Sequence, residues 1–263
     1  VPLPFSFPEI YEQALVGPLF RPFAEAMVDE LAPAAGERVL DIACGTGIVA
    51  RLARQRVGAT GAVVGVDLSA PMLAVAREVA PDIDWREGDA VALPLAEGER
   101  FDVVACQQGL QFMADRAAAA AQMRRALVAG GRLAVSTWRS DHESPLALAL
   151  REVAQRHLGP IDDRRYSLGD AAVLEALLRD AGLRDVRTKT VVRTVRFSDG
   201  AVFVRLNAIP LWGMSTRAKT GSEAEREQAI AAIVRDSADA VRPYTDAGGL
   251  AFDLATNVAT ARG

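Results

Sequence analysis

Apolar residues along the first 140 positions alternate between two spacings. Over 19–31, Phe20, Phe23, Ala24, Met27, Val28 and Leu31 recur on one helical face, and Pro33 and Gly36 end the stretch. A short continuous run follows, Val39-Leu40-Asp41-Ile42-Ala43, then the turn Cys44-Gly45-Thr46-Gly47 and a helical stretch through Arg56. A second strand over 62–66 ends at Asp67, and Ser69 caps a helix carrying Met72, Leu73, Val75, Ala76 and Val79. A weaker strand near 83–87 ends at Gly88-Asp89, and 101–106 reads as a clear strand. The spacing then predicts a helix over 115–129 closed by Gly130-Gly131, and a strand over 132–138. Strands alternating with helices in this way predict an α/β fold, a mostly parallel sheet covered on both faces.

The second half is less regular. Leu146, Leu150, Val153, Ala154, His157 and Leu158 make a helical stripe stopped by Gly159-Pro160, and a further helix over 170–181 ends at Gly182. A Thr-, Val- and Arg-rich strand over 185–197 follows, then helical stretches near 201–209 and 222–240. Leu250, Phe252 and Leu254 alternate with Ala251 and Asp253, which predicts a final strand. No internal repeat or low-complexity linker interrupts the chain.

Composition narrows this picture. The 263 residues suit one α/β domain, alone or with a small cap. A net charge of −4 gives no reason to expect nucleic acid as a partner. Cys44 and Cys106 lack metal-type spacing and read as small hydrophobes of a reducing cytosol, so no metal site is expected. Residues 1–8 hold three prolines and no basic, then apolar, leader, and no stretch is apolar enough to span a bilayer. A soluble, cytoplasmic protein with no membrane partner is expected; the sequence does not reveal its oligomeric state.

Ligands of open α/β sheets bind beyond the carboxyl ends of the strands. Four such ends carry suggestive groups: Asp41 with Gly45 and Gly47, then Asp67, Asp89, and Gln107 with Gln108. Alone, each has a plain reading as a tight turn, a cap or a loop residue. Together they fit an adenosine, with Asp67 accepting from the ribose hydroxyls and Asp89 from the adenine amino group. Gly45-Thr46-Gly47-Ile48-Val49-Ala50 also fits the dinucleotide fingerprint, so an NAD-dependent oxidoreductase stands as the alternative. Asp41 before the glycines suits an ammonium and would sit awkwardly beside a pyrophosphate. A non-catalytic cofactor-binding module is a third reading.

These segments resemble a known family. Residues 39–47, the run Val66-Asp67-Leu68-Ser69-Ala70-Pro71-Met72-Leu73, and Glu87-Gly88-Asp89-Ala90 are similar to the first three motifs of class I S-adenosylmethionine-dependent methyltransferases. Residues 101–110 resemble the fourth-strand motif of the small-molecule subgroup that includes ubiquinone and menaquinone biosynthesis, and Gly130-Gly131-Arg132-Leu133 matches the turn into the fifth strand. Ala43 departs from the pattern, where many members have glycine, and a methyl group is expected to be a small change. The resemblance covers about 10–140. It implies a Rossmann-like, seven-stranded, mostly parallel sheet with helices on both faces, whose last strand inserts antiparallel between the fifth and sixth. The core would be 34–140, 170–198 and 248–263 of a single domain, with helical cap insertions from 1–18, 141–169 and 199–247.

The resemblance also implies roles: S-adenosylmethionine as cofactor and a small-molecule methyl acceptor as the other partner. Gly45 and Gly47 would pass under the methionine part, with Ala43 in the same turn, and Asp41 would hold the loop or the ammonium. Asp67 would hold the ribose, Leu68 and Met72 would pack on adenine or ribose, Asp89 and Ala90 would contact the adenine, and Gln107 the methionine part. Taken alone, Leu68 and Met72 read better as core packing. Tyr11 is similar to family tyrosines that close over the cofactor. No catalytic residue is identified: His142, in a polar loop after the fifth strand, is the one weak candidate for a base, and His157 reads as core. Gln108, Gln111, Trp138, Tyr166 and Trp212 are candidate pocket lining, and Arg164-Arg165 reads as a solvated pair rather than a clamp for an acidic substrate. The fourth strand lacks the Asn/Asp-Pro-Pro-aromatic tetrapeptide of base-methylating enzymes.

Overall fold

The computed structural model describes residues 6–263, so the reading of the leading segment 1–5 lies outside the described residues. Its frame is a sheet of β1 (Arg38–Ile42), β2 (Ala62–Asp67), β3 (Asp84–Glu87), β4 (Phe101–Gln107), β5 (Leu127–Trp138), β6 (Arg184–Phe197) and β7 (Gly249–Arg262). The order across the sheet is β3-β2-β1-β4-β5-β7-β6, with β7 antiparallel to both neighbours. Val39, Leu40, Val103, Val104, Ala105 and Cys106 are wholly buried, as strands covered on two faces require. An eighth strand of two residues, Thr245–Asp246, pairs with the start of β7 and has too little sequence to show a period.

Helices α1 (Arg21–Leu31), α2 (Ile48–Val57), α3 (Ala70–Val79), α4 (Arg116–Ala126), α5 (Pro145–Leu158), α6 (Ala171–Asp180), α7 (Gly200–Gly213) and α8 (Glu223–Asp236) surround it. Several boundaries differ from the periodicity. Winding begins at Phe7 rather than near 19, because Tyr11–Phe20 forms a wider i→i+5 helix that accommodates Pro18. Helix α4 stops at Ala126, since Leu127 turns extended, is buried and pairs with Phe101. Gly130 and Gly131 therefore lie inside β5, where the pairing with β4 shifts register, and do not close a helix. Helix α7 runs through Pro210 to Gly213, and α8 ends at Asp236 before a separate turn, Ala238–Val241.

Three apolar clusters hold these layers. One, under α1, α2 and α3, contains Trp85, whose indole lies where side chains of Gly47 and Gly65 would be. A second joins α4 and α6 to the other sheet face. The third binds residues 10–26, α5, α7 and α8 to the outer parts of β6 and β7, so the segments expected as a cap share one core with the sheet edge. Among the described residues, no helix is long and apolar enough to cross a membrane.

The Trp85 seat yields a test. A Cβ at Gly65 would lie 2.3 Å from the indole ring, so Gly65→Ala should destabilise the fold by about 1–3 kcal/mol. Adding Trp85→Leu should restore part of that loss in a urea titration. An unchanged midpoint for Gly65→Ala would contradict this packing.

Candidate functional site

The carboxyl ends of β1, β2, β3 and β4 open into a hollow of about 590 Å³. The β1–α2 turn makes one wall. Asp67 Oδ2 accepts the Gly45 N–H at 2.7 Å and Oδ1 accepts the Ser69 N–H at 2.8 Å, so one side chain ties both turns together. Gly45 stands at φ 57° in the left-handed region and faces Tyr11, whose hydroxyl would lie 3.9 Å from a Cβ there.

Of the positions singled out from sequence, Tyr11, Ala43, Gly45, Asp67, Leu68, Met72, Asp89 and Ala90 line this hollow. Leu68 is 68% exposed at the rim, which removes its core reading. Asp89 is exposed and its Oδ1 accepts the Val91 N–H, an Asx turn that fixes the carboxylate beyond β3. Ala43 is less neutral than a glycine-to-methyl change suggests. It adopts φ 56°, and its Cβ sits 2.5 Å from where a side chain at Gly109 would begin. Gln108, at φ 54°, is a second non-glycine residue in this region, and such strain gathers at functional sites.

Three positions fall elsewhere. Gly47, at φ 88°, turns its Cα toward Trp85, where a Cβ would meet the ring at 2.1 Å, so it serves the core beneath the turn rather than the hollow. Asp41 is buried behind the turn and accepts the Ala50 N–H at 3.0 Å, while its Oδ1 has no partner. Burial pushes its carboxyl up to about 8, with the charge of Asp67 adding to the effect and the Ala50 amide opposing it. Gln107 donates to the Phe20 carbonyl at 3.0 Å and faces a second chamber; its Oε1 is also buried without a partner.

That second chamber, about 250 Å³, lies among residues 7–20, α5, α7 and β7 and is walled mainly by aromatic and aliphatic side chains. Tyr11, Ala43, Gln108 and Phe112 line both spaces and form the boundary between them. Burial, then the charges of Asp67, Glu12 and Asp41, hold the Tyr11 phenol well above its ordinary range, so its hydroxyl stays protonated. Among the candidate lining residues, Gln108, Trp138 and Tyr166 reach this chamber. Gln111 is buried behind it, donating to Gln108 Oε1 at 3.1 Å, and Trp212 packs into the cap core.

His142 is exposed on a short turn and lines neither space, so its place in the chain after β5 does not put it at the chemistry. His157 is half-buried and bonds Asp236 at 2.9 Å instead of packing as core. Cys44 and Cys106 are buried, and burial raises both thiols, Cys106 to about 12. Among the described residues, no cluster of His, Cys, Asp and Glu could hold a metal ion. Sequence reasoning missed Asp115, Phe112 and Met113 in the hollow. Asp115 was hidden by its second duty, capping α4 through the Ala118 N–H.

Residues 39–131, which carry the β1–β5 strand ends, match the family model described as a methyltransferase domain. Over those residues the chain is similar to that family. A 2-phytyl-1,4-naphtoquinone methyltransferase of Thermosynechococcus vestitus is 40% identical over 134 residues, half of this chain and 57% of that protein. A demethylmenaquinone methyltransferase of Thermus thermophilus is 38% identical over 136 residues, 60% of its length. The chain thus spans little more than half of these curated relatives. Among solved structures, phosphoethanolamine N-methyltransferase 2 of Haemonchus contortus, in complex with S-adenosyl-L-methionine, superposes with a TM-score of 0.52 at 19% identity, covering 98% of this chain and 60% of that one. That likeness bears on the fold of the methyltransferase domain.

Asp41 supplies a pH test. Its carboxyl keeps a proton in the folded state up to about pH 8, whereas the unfolded value lies near 3.8. The folded chain therefore holds one proton more than the unfolded chain between those values, and stability falls as pH rises through that window and levels off above it. Asp41→Asn should flatten this slope in urea titrations run over about pH 5 to 9. An identical slope in the variant would show that Asp41 ionises as an ordinary carboxylate.

Proposed function

We propose that this protein transfers a methyl group from S-adenosylmethionine to a small apolar acceptor. The observation that carries the reading is the lining of the larger hollow. Asp67, Asp89 and Asp115 face it, and among the described residues no Lys, Arg or His does. Such a wall repels a pyrophosphate and favours a ligand bearing positive charge. The NAD-dependent alternative has only the Gly45–Ala50 fingerprint on its side, and its anionic cofactor would meet carboxylates where it needs donors.

The residues fit the cofactor in a second respect. Gln107 Oε1, at the end of β4, is buried without a partner, and an ammonium group would supply the donor it lacks. Asp67 would take the ribose hydroxyls on the lone pairs its backbone bonds leave, Asp89 and Ala90 the adenine, and Leu68 and Met72 would cover its face. Gly45 would admit the methionine part. Gly47 and Asp41 would act by shaping the turn.

When bound, the cofactor supplies an already activated methyl group, so the chain's own task is alignment and exclusion of water. The boundary residues Tyr11, Ala43, Gln108 and Phe112 would hold an acceptor in the apolar chamber against the cofactor hollow. No side chain on this boundary is poised as a general base, which suits an acceptor that is already nucleophilic. The relatives' names point to quinone-type acceptors, and the apolar chamber is in keeping with an acceptor of that character.

The reading is tested by calorimetry with S-adenosylhomocysteine. Asp67→Ala should weaken binding roughly 10- to 100-fold, and Asp89→Ala, which is exposed, about 3- to 10-fold. Unchanged affinity in both variants would remove the strand-end carboxylates from the site.

A further inference from the structure

The pair Arg164-Arg165 divides in the folded chain. Arg164 stays at the surface beside Asp162. Arg165 is tucked in, 16% of its side chain exposed, and is the one charged group among the described residues that line the apolar chamber. Its Nε and Nη2 donate to the two carboxylate oxygens of Asp163 at 2.8 and 2.7 Å, and Nη1 donates to Asn207 Oδ1 at 2.6 Å. The guanidinium also lies 5.3 Å from the Tyr166 ring centroid. Asp163, with 4% of its side chain exposed, does not line the chamber.

A guanidinium has five N–H donors, so these three bonds leave two, one on each terminal nitrogen. Of the chamber's amides, Gln108 donates to Thr256, Gln107 donates to the Phe20 carbonyl, and Asn207 accepts from Arg165 itself. Burial of a guanidinium is costly unless partners repay it, and a carboxylate is the kind of acceptor that can take the donors left on the two terminal nitrogens. Asp163 holds the fork rigid from behind, so little ordering cost falls on a ligand.

We propose that Arg165 anchors the occupant of this chamber and that the occupant is an apolar acid. Its hydrophobic body would lie against walls such as Trp138, Leu150 and Phe252, and its single carboxylate would take the two free N–H groups of Arg165. Arg165 is then a specificity-determining residue, and calling its ligand the methyl acceptor rests on the transferase reading above.

The test is calorimetry of the full chain with 2-naphthoic acid and 2-naphthamide, which differ only in the charged group. Each is titrated with and without saturating S-adenosylhomocysteine. The acid should bind roughly 10- to 100-fold tighter than the amide. Arg165→Gln should abolish that preference while leaving S-adenosylhomocysteine binding intact, and Asp163→Asn, which unmasks the guanidinium charge, should increase it. Equal affinities in the wild type, no binding of the acid, or a preference that survives Arg165→Gln would each overturn the anchor. Should Arg165→Gln not fold, the wild-type ratio and the Asp163→Asn shift decide. Failure of S-adenosylhomocysteine to bind, with the acid preference present, would overturn the transferase reading alone.

Discussion

The carboxylate of Asp67, accepting the amides of Gly45 and Ser69, is the contact on which the rest of the site depends. Hydrogen bonds to a charged acceptor are worth about 1.5–3 kcal/mol each. These two reach from the end of β2 into the turn after β1 and into the start of α3. They hold the Gly45 turn open toward solvent while Gly47, two residues on, lets Trp85 fill the space below. Without that clamp, the turn would be tied to the end of β2 only through the Cys44 N–H bond to the Val66 carbonyl, and the larger hollow would lose a side-chain brace of its wall.

From this frame follow two adjoining spaces of different charge. The hollow beyond β1–β4 carries carboxylates; the chamber beside it carries Arg165 as the one charged group among the described residues that line it. Tyr11, Ala43, Gln108 and Phe112 stand between them, and two of these four hold left-handed backbone angles that side chains rarely adopt. Strain of this kind costs of order 1–3 kcal/mol and persists only where surrounding packing enforces it. A carboxylate-bearing space adjoining one walled mainly by aromatic and aliphatic side chains is the arrangement that group transfer by alignment asks for.

Much of the sheet was legible in the sequence because its signals are local. Buried parallel strands are continuous apolar runs, and the Asp and Gly residues that end them mark the ligand side of the sheet. The misreadings share one physical cause, contact between residues distant in sequence. Gly47 looked like a ligand-facing glycine because nothing local reveals that Trp85, 38 positions on, lies against it. Arg165 looked solvated because Asp163 and Asn207 draw it inward, and only folding brings Asn207 there. His142 sits near the site in the chain and away from it in space. The cap was the least readable region, since its helices pack partly on one another and carry weak periodicity.

The central claim is that a wall of carboxylates without a cation selects a positively charged nucleoside over a phosphate-bearing one. The most direct measurement is a paired calorimetric titration of the wild-type chain with S-adenosylmethionine and with ADP-ribose, at low and at moderate salt. Saturable binding of S-adenosylmethionine, and none of ADP-ribose at either salt, is the predicted result. ADP-ribose binding as tightly as S-adenosylmethionine would contradict it.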